Sequence, residues 1–361
     1  MGALVQPLRH SDADVITSSR RSEAPDYARL NESQRYKQPA EGPRYSALAE
    51  EARGFGRAHA KIILFGEHAV VFGEPAIAFP MQCLTLRATA EPCDGELWLT
   101  ANNYDGPLAD APTFLSPVGA TIKACLDLLE YPQSGMHISC RGNVPLARGL
   151  GSSAAASAAM VDSIIDFSGK DVDYHSRYEL VQIGERVAHG SASGLDAHTV
   201  LNTHPVLFQG GRSEPITVSL GSPLVVADTG QPGDTLPAVR GVDELRRTHK
   251  KRFTRNVDAI RHHTVEARID LALDDRVSLG ERMNAVHEHL ADLGVSSPEL
   301  ENLVVAARNA GALGAKLTGG GRGGCIIALS KDEHHAVALS DALRAAGARR
   351  TWLMHPSEFQ R

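Results

Sequence analysis

Apolar and polar positions divide the chain into two regimes. Residues 1–53 are rich in Arg, Glu, Ser, Pro and Gln, with scattered tyrosines and no sustained hydrophobic period. That pattern predicts a disordered N-terminal extension. Order is expected from about residue 56, where Ile62, Ile63, Leu64 and Phe65 make a short buried strand followed by glycine punctuation. Alternating apolar positions over 82–91 and 95–101 predict further strands. Helices are expected over 117–131, 152–167 and 174–190, the last with Leu180, Ile183, Gly184, Val187 and Ala188 on one face. Around 223–230 a strand exits into a Gly/Pro loop, which makes it the expected junction between domains at 54–222 and 223–361. Beyond it, helices are expected at about 237–265, 277–293 and 298–310. Ser297 suits the cap of the last, Pro298 its first turn, and Gly311 follows its end. Residues 315–330 read as strand, glycine turn, strand, and no internal repeat is found.

Composition narrows the class. Hydrophobic residues are 42% and charged residues 22% of 361, an ordinary globular balance with room for a sizeable core. The net charge of -6 argues against a protein that coats nucleic acid or an anionic membrane. No apolar run approaches the roughly 18 residues that span a bilayer. The five cysteines (Cys83, Cys93, Cys125, Cys140, Cys325) are widely spaced and form no C-x-x-C, which suits reduced thiols. The start MGALVQ has Gln6 where a myristoylation signal needs Ser or Thr, and Arg20-Arg21 has no apolar segment behind it. A cytoplasmic location is expected.

The stretch 145-PLARGLGSSAAASAAMV-161 places glycines and serines before an alanine-rich helix. Gly149 and Gly151 permit a backbone that turns consecutive N–H groups toward one point, and the helix beginning near Ser152 adds its free amides and dipole. Such a loop suits a phosphate chain. Ser152 and Ser153 offer hydroxyls, and Ala154 keeps the first turn slim. It is not a Walker A loop, because no Lys ends it, and not a dinucleotide fingerprint, because Ala154 stands where the third glycine belongs. Taken alone, it reads equally as a glycine turn feeding a packed helix.

Two further segments break the tie. Together, 60-AKIILFGEHAVVFGEPAIA-78, 145-PLARGLGSSAAASA-158 and 314-GAKLTGGGRGGCIIAL-329 resemble the three signature motifs of the GHMP small-molecule kinase superfamily. Within it the chain is similar to the mevalonate kinase family, on G-E-H-A-V-V in the first motif and 184-GERVAHGSASGLD-196 between the second and third. The resemblance covers about residues 56–330. It implies two α/β domains with the active site in their cleft. The first resembles ribosomal protein S5 domain 2, with a left-handed β-α-β crossover, and the second is ferredoxin-like. It also implies phosphorylation of the C5 hydroxyl of mevalonate by ATP with Mg2+, in the mevalonate pathway of isoprenoid biosynthesis, and leaves a homodimer open as the assembly.

Site residues follow from the resemblance, motif by motif. Asp196 matches the carboxylate beside the acceptor hydroxyl, and Lys61 the ammonium that pairs with it and steadies the transferring phosphoryl group. A carboxylate is a weak base, so positioning the alcohol matters more than outright deprotonation. Pro145, Gly149, Leu150, Gly151, Ser152, Ser153 and Ala154 match the phosphate loop. Ser152 and Glu185 match the Mg2+ ligands, a sparse set of the kind that suits an ion keeping phosphate and water oxygens. Glu67 and His68 match residues of the acceptor pocket, with a cationic or donor-rich His68 orienting a carboxylate. Thr235, Gly320 and Gly321 complete the substrate side, and the third-motif glycines are expected to press on phosphate and acceptor. His189 is read as structural. Arg322 stands where relatives carry a small residue and points either outward or at phosphate; Ala197 stands where many carry Asn. Other kinases of the superfamily, of galactokinase or homoserine kinase type, and a non-catalytic regulator on the same fold are the alternatives. The regulator fits poorly, because Lys61, Ser152, Glu185 and Asp196 are all present.

Overall fold

The computed structural model describes residues 53–190, 192–233 and 235–359. The expected N-terminal extension therefore lies outside the described residues, apart from Arg53. The first sheet has seven strands. Strand β1 (Gly54–Phe65) pairs antiparallel with β2 (Ala76–Glu96), and the sheet order is β4-β3-β5-β2-β6-β7. Here β3 is Trp98–Ala101, β4 Tyr104–Pro107, β5 Ser134–Gly142, β6 Val206–Gln209 and β7 Arg212–Pro215. Strands β3 and β5 are parallel, joined through helix α1 (Ser116–Leu128). Helix α2 (Ser152–Ser168) lies across β1 and β2, close enough that a Cβ on Gly56 would sit 1.9 Å from the Ala159 carbonyl oxygen. Helix α3 (Tyr174–His189) packs on α1 and α2, and the short α4 (Leu195–Val200) closes the layer.

The chain passes to a second sheet between Pro215 and Leu224. Its strands are β8 (Leu224–Asp228), β9 (Gly314–Thr318), β10 (Cys325–Leu329) and β11 (Arg350–Met354), in order β11-β8-β10-β9 with every neighbour antiparallel. That is the 4-1-3-2 order of a ferredoxin-like sheet. Helices α7 (Arg276–Asp292), α8 (Pro298–Asn309) and α9 (Glu333–Ala345) pack against it. The Ser297 side chain caps α8 by accepting from the Leu300 amide. One buried apolar cluster joins the two sheets, with Ile62, Leu64 and Phe79 of the first beside Val225, Ile326 and Ile327 of the second. None of the described helices is long and apolar enough to cross a membrane.

Two expectations need correction. The separate strand at 82–91 is part of β2, which continues from the apolar run before it and takes its bend at a register shift opposite His59/Ala60. The helix expected at 237–265 is two, α5 (Thr235–Thr248) and α6 (Lys250–Leu273), broken at His249 with φ -132 and ψ 55. A continuous helix would stack Arg246 on Lys250 and Arg247 on Lys251 at i,i+4 spacing, where like charges repel.

Helix α7 meets β9 backbone to backbone: a Cβ on Gly280 would lie 2.4 Å from the Leu313 carbonyl oxygen, and one on Gly314 would lie 2.2 Å from the Gly280 oxygen. Alanine at Gly280 would gain about 1 kcal/mol of helix propensity. Forcing the helix off the strand should cost more, on the order of 2–3 kcal/mol. Gly280→Ala is expected to lower stability by about 1–2 kcal/mol in urea unfolding; a stabilised variant would refute the contact.

Candidate active site

The phosphate loop is built by close approach. Gly151 (φ 71) is the N-cap of α2, and no side chain caps that helix start, so its first amides stay available to an anion. Lys61 lies across the loop: its amide donates to the Leu150 carbonyl at 3.0 Å, and a Cβ on Gly151 would touch its Cγ at 2.8 Å. Its ammonium reaches Asp196 Oδ1 at 2.9 Å, with the lysine side chain 3% exposed and the aspartate 30%. Asp196 sits in the first turn of α4, held by the fully buried Ala197 and by His198 stacked 4.1 Å from the Tyr178 ring. Ala197 thus secures the loop by packing.

These groups share a cleft of about 450 Å3 that runs between the two sheets. Lys61, His68, Gly149, Gly151, Ser152, Ser153, Glu185, Asp196, Thr235 and Gly320 are on its wall. Pro145, Leu150, Ala154, Glu67 and Gly321 are not. Ala154 is fully buried in the core under α2, so it supports the loop from beneath rather than clearing space for a ligand. Leu150 is core as well, and only its carbonyl takes part, through Lys61.

The glycines of the third motif also differ from expectation. They are small because protein backbone presses on them. A Cβ on Gly319 would lie 2.8 Å from Gly149 Cα, on Gly321 2.0 Å from the Val295 oxygen, on Gly323 2.3 Å from the Pro232 oxygen, and on Gly324 2.8 Å from the Arg148 oxygen. Gly320 meets the Thr235 hydroxyl and faces the cleft. Arg322 (φ 55) is exposed and off the cleft wall; its amide donates to the Val295 carbonyl and its Nε to the Gly294 carbonyl.

Glu67 and His68 take other roles than expected. Glu67 is fully buried behind the wall, its carboxylate bonded to Lys316, which is also fully buried and donates to the Leu317 carbonyl. Burial pushes the Glu67 carboxyl up and the Lys316 ammonium down, while their mutual attraction opposes both shifts. The pair ties the first-motif turn to β9. His68 lines the cleft but is no cation: burial lowers it to about 4, and Nε2 donates to the Gly320 carbonyl at 2.9 Å. The cationic ring expected at this position is therefore a neutral one.

Glu185 is 3% exposed, and burial raises its carboxyl, with His189 and Lys61 opposing and Asp196 adding to the shift. His189 Nε2 lies 3.8 Å away. Glu185 Oε1 and Ser153 Oγ are buried oxygens outside good hydrogen-bond geometry, although the Ser153 hydroxyl is near enough to Glu185 to favour its carboxylate. A buried carboxylate with an unsatisfied oxygen beside hydroxyls on a glycine loop is a donor set that fits a hard cation. Among the described residues no cluster of three or more His, Cys, Asp and Glu side chains could hold a metal by itself, which leaves phosphate oxygens to complete any shell.

Two features had no sequence signal recognised above. Lys316 stood in the third motif, but its burial depends on β9, an edge strand of its sheet, being covered by α7, α8 and β1. Arg148 was visible in the middle of the glycine loop, and its partner Asp228 lies eighty residues away. The far end of the cleft is apolar, with Phe114, Leu115, Val118 and Cys140.

His68 supplies a pH test. Its folded value lies below the 6.5 of an unfolded histidine, so the unfolded chain binds more protons between about pH 6.5 and 4, and stability falls as pH drops through that window. The group alone accounts for about 3 kcal/mol over that range. His68→Asn, a residue that tolerates positive φ, should flatten the pH dependence of unfolding free energy there by roughly that amount. An unchanged slope would contradict the burial argument.

Comparison with known proteins agrees with this geometry. The family described as GHMP kinases N terminal domain matches residues 119–202, and GHMP kinases C terminal matches 267–349. The mevalonate kinase of Pyrococcus horikoshii is 32% identical over 314 residues, covering 80% of this chain and 92% of its own. That of Methanothermobacter thermautotrophicus is 33% identical over 84% of this chain and 96% of its own. Among solved structures, L. major mevalonate kinase in complex with R-mevalonate superposes with a TM-score of 0.72 at 27% identity, covering 84% of this chain and 97% of its own. The enzyme from methicillin-resistant Staphylococcus aureus gives 0.64 at 31%, covering 84% and 99%. With its two-sheet fold, its uncapped glycine loop and relatives matched over nearly their full length, the chain belongs to the GHMP kinases, in the mevalonate kinase family.

Proposed function

We propose that the chain transfers the γ-phosphoryl group of ATP to the C5 hydroxyl of (R)-mevalonate, with Mg2+. The observation that carries this is the Lys61–Asp196 pair at 2.9 Å, set across the glycine loop at the middle of the cleft. The triphosphate lies on the amides that open α2, and the adenine ring occupies the apolar end at Phe114, Leu115 and Val118. Asp196 accepts a hydrogen bond from the C5 hydroxyl, aligns its oxygen with the γ-phosphorus and takes its proton as the bond to phosphorus forms and the bond to ADP breaks. Lys61 stays paired with Asp196 and offers charge to the transferring oxygens. Neutral His68 and Thr235 shape the acceptor end. Ser152 and Glu185, with Ser153 alongside, are the residues that would hold Mg2+. When bound, that ion neutralises phosphate charge.

In a coupled ADP assay the purified protein should turn over with ATP, Mg2+ and (R)-mevalonate. Turnover of galactose or homoserine in its place would overturn the assignment. Asp196→Asn should bind ATP normally while losing about 10²–10⁴-fold in kcat, and a near-normal rate would remove Asp196 from the chemistry. For the metal, calorimetry with a nonhydrolysable ATP analogue separates roles: Glu185→Gln should weaken the Mg2+ complex about tenfold and leave the metal-free nucleotide within about twofold. Equal loss for both would show that Glu185 serves the fold and not the ion.

A further inference from the structure

We infer that Arg148 is a positioning residue that couples the phosphate loop to the acceptor side of the cleft; this rests on the kinase reading above. Arg148 sits inside the glycine loop and lines the cleft, yet its guanidinium is turned toward protein. Its Nε lies 2.9 Å from Asp228 Oδ1, a carboxylate 2% exposed at the end of β8. One terminal nitrogen donates to the Leu146 and Ala147 carbonyls at 3.3 and 3.2 Å, and the other donates to the Gly230 carbonyl at 3.1 Å. The Asp228 carboxylate and three backbone carbonyls thus hold the guanidinium against protein on both sides of the seam. It works as a strap.

The strap spans two segments that each carry a substrate site. On one side is the loop that continues through Gly149 and Gly151 to the start of α2. On the other is the segment leaving β8, which leads within a few residues to Thr235 at the start of α5, against Gly320. Further bonds reinforce the seam: the Gly233 amide donates to the Ala147 carbonyl at 2.8 Å, and the Gly230 amide to Asp228 Oδ1 at 2.8 Å. Ala147 is held at φ 53, a left-handed conformation that a residue with a Cβ keeps only when its surroundings fix it. Its carbonyl receives both Arg148 and Gly233, so the strained residue is the point where the two segments are fastened. A ligand that fixes the phosphate loop thereby also fixes the approach to Thr235, and the converse holds by linkage.

The full-length chain is first checked for mevalonate-dependent ADP release, whose absence would fail the kinase reading rather than this one. Calorimetry then measures (R)-mevalonate binding with and without a saturating, Mg2+-complexed nonhydrolysable ATP analogue. Wild type should bind the acceptor on the order of tenfold more tightly with the nucleotide present. In Arg148→Gln that factor should fall below about twofold, with each ligand alone binding within about threefold of wild type. Asp228→Asn, which keeps shape and the Gly230 contact, should show the same loss and decides the matter if the arginine variant unfolds. Ala147→Gly relieves the positive φ without cutting the strap and should retain the coupling. Coupling absent in wild type, preserved in both strap variants, or lost in Ala147→Gly would overturn the inference.

Discussion

The site depends on one side chain lying where a Cβ cannot be. Lys61 crosses the phosphate loop against Gly151, takes its backbone register from Leu150 and delivers its ammonium to Asp196. Three pieces of chain remote in sequence, β1, the loop before α2 and the start of α4, are fixed relative to each other by that crossing. Burying a lysine is costly unless it is paired, so Asp196 and Lys61 hold each other in place as well as serving a common chemistry. The loop amides, left without a side-chain cap, lie beside that pair on the cleft wall.

The second sheet contributes through backbone contact. Its third-motif turn touches the phosphate loop at Gly149, α5 at Thr235, the α7–α8 connection at Val295 and the β8 loop at Pro232. Thr318 exchanges two hydrogen bonds with the Ile63 backbone, so β9 and β1 are locked directly. With the Glu67–Lys316 pair beneath, the two sheets meet through polar contacts embedded in a continuous apolar cluster.

Much of this was legible in the sequence, for identifiable reasons. The helices with a clear 3.6 period, α1, α2, α3, α7 and α8, fell close to their observed limits, because each presents an apolar stripe to a layer below. The break at His249 was missed because apolar periodicity ignores the stacking of like charges. The fusion of two strands into β2 was missed because exposed and buried positions drift at its bend. In the site, Lys61, Asp196, Glu185 and Thr235 were found by motif and do converge. Glu67 was misassigned to the wall because its partner, Lys316, is brought to it only by tertiary structure; a charged residue whose neighbour in space lies 249 positions away leaves no local trace. The neutral state of His68 had the same origin, since burial is a property of the fold.

The crowded third-motif turn carries a lesson for altering what the cleft accepts. Its glycines each sit against main chain that cannot retreat, so that stretch has almost no freedom to drift without disturbing the assembly of the two halves. Freedom lies instead beside that turn, where Val71, Leu236 and Val239 line the cleft with aliphatic side chains that can be exchanged for others of different volume. A search for homologues or variants handling bulkier alcohols would do best to look there, leaving the glycine turn as a fixed hinge pin.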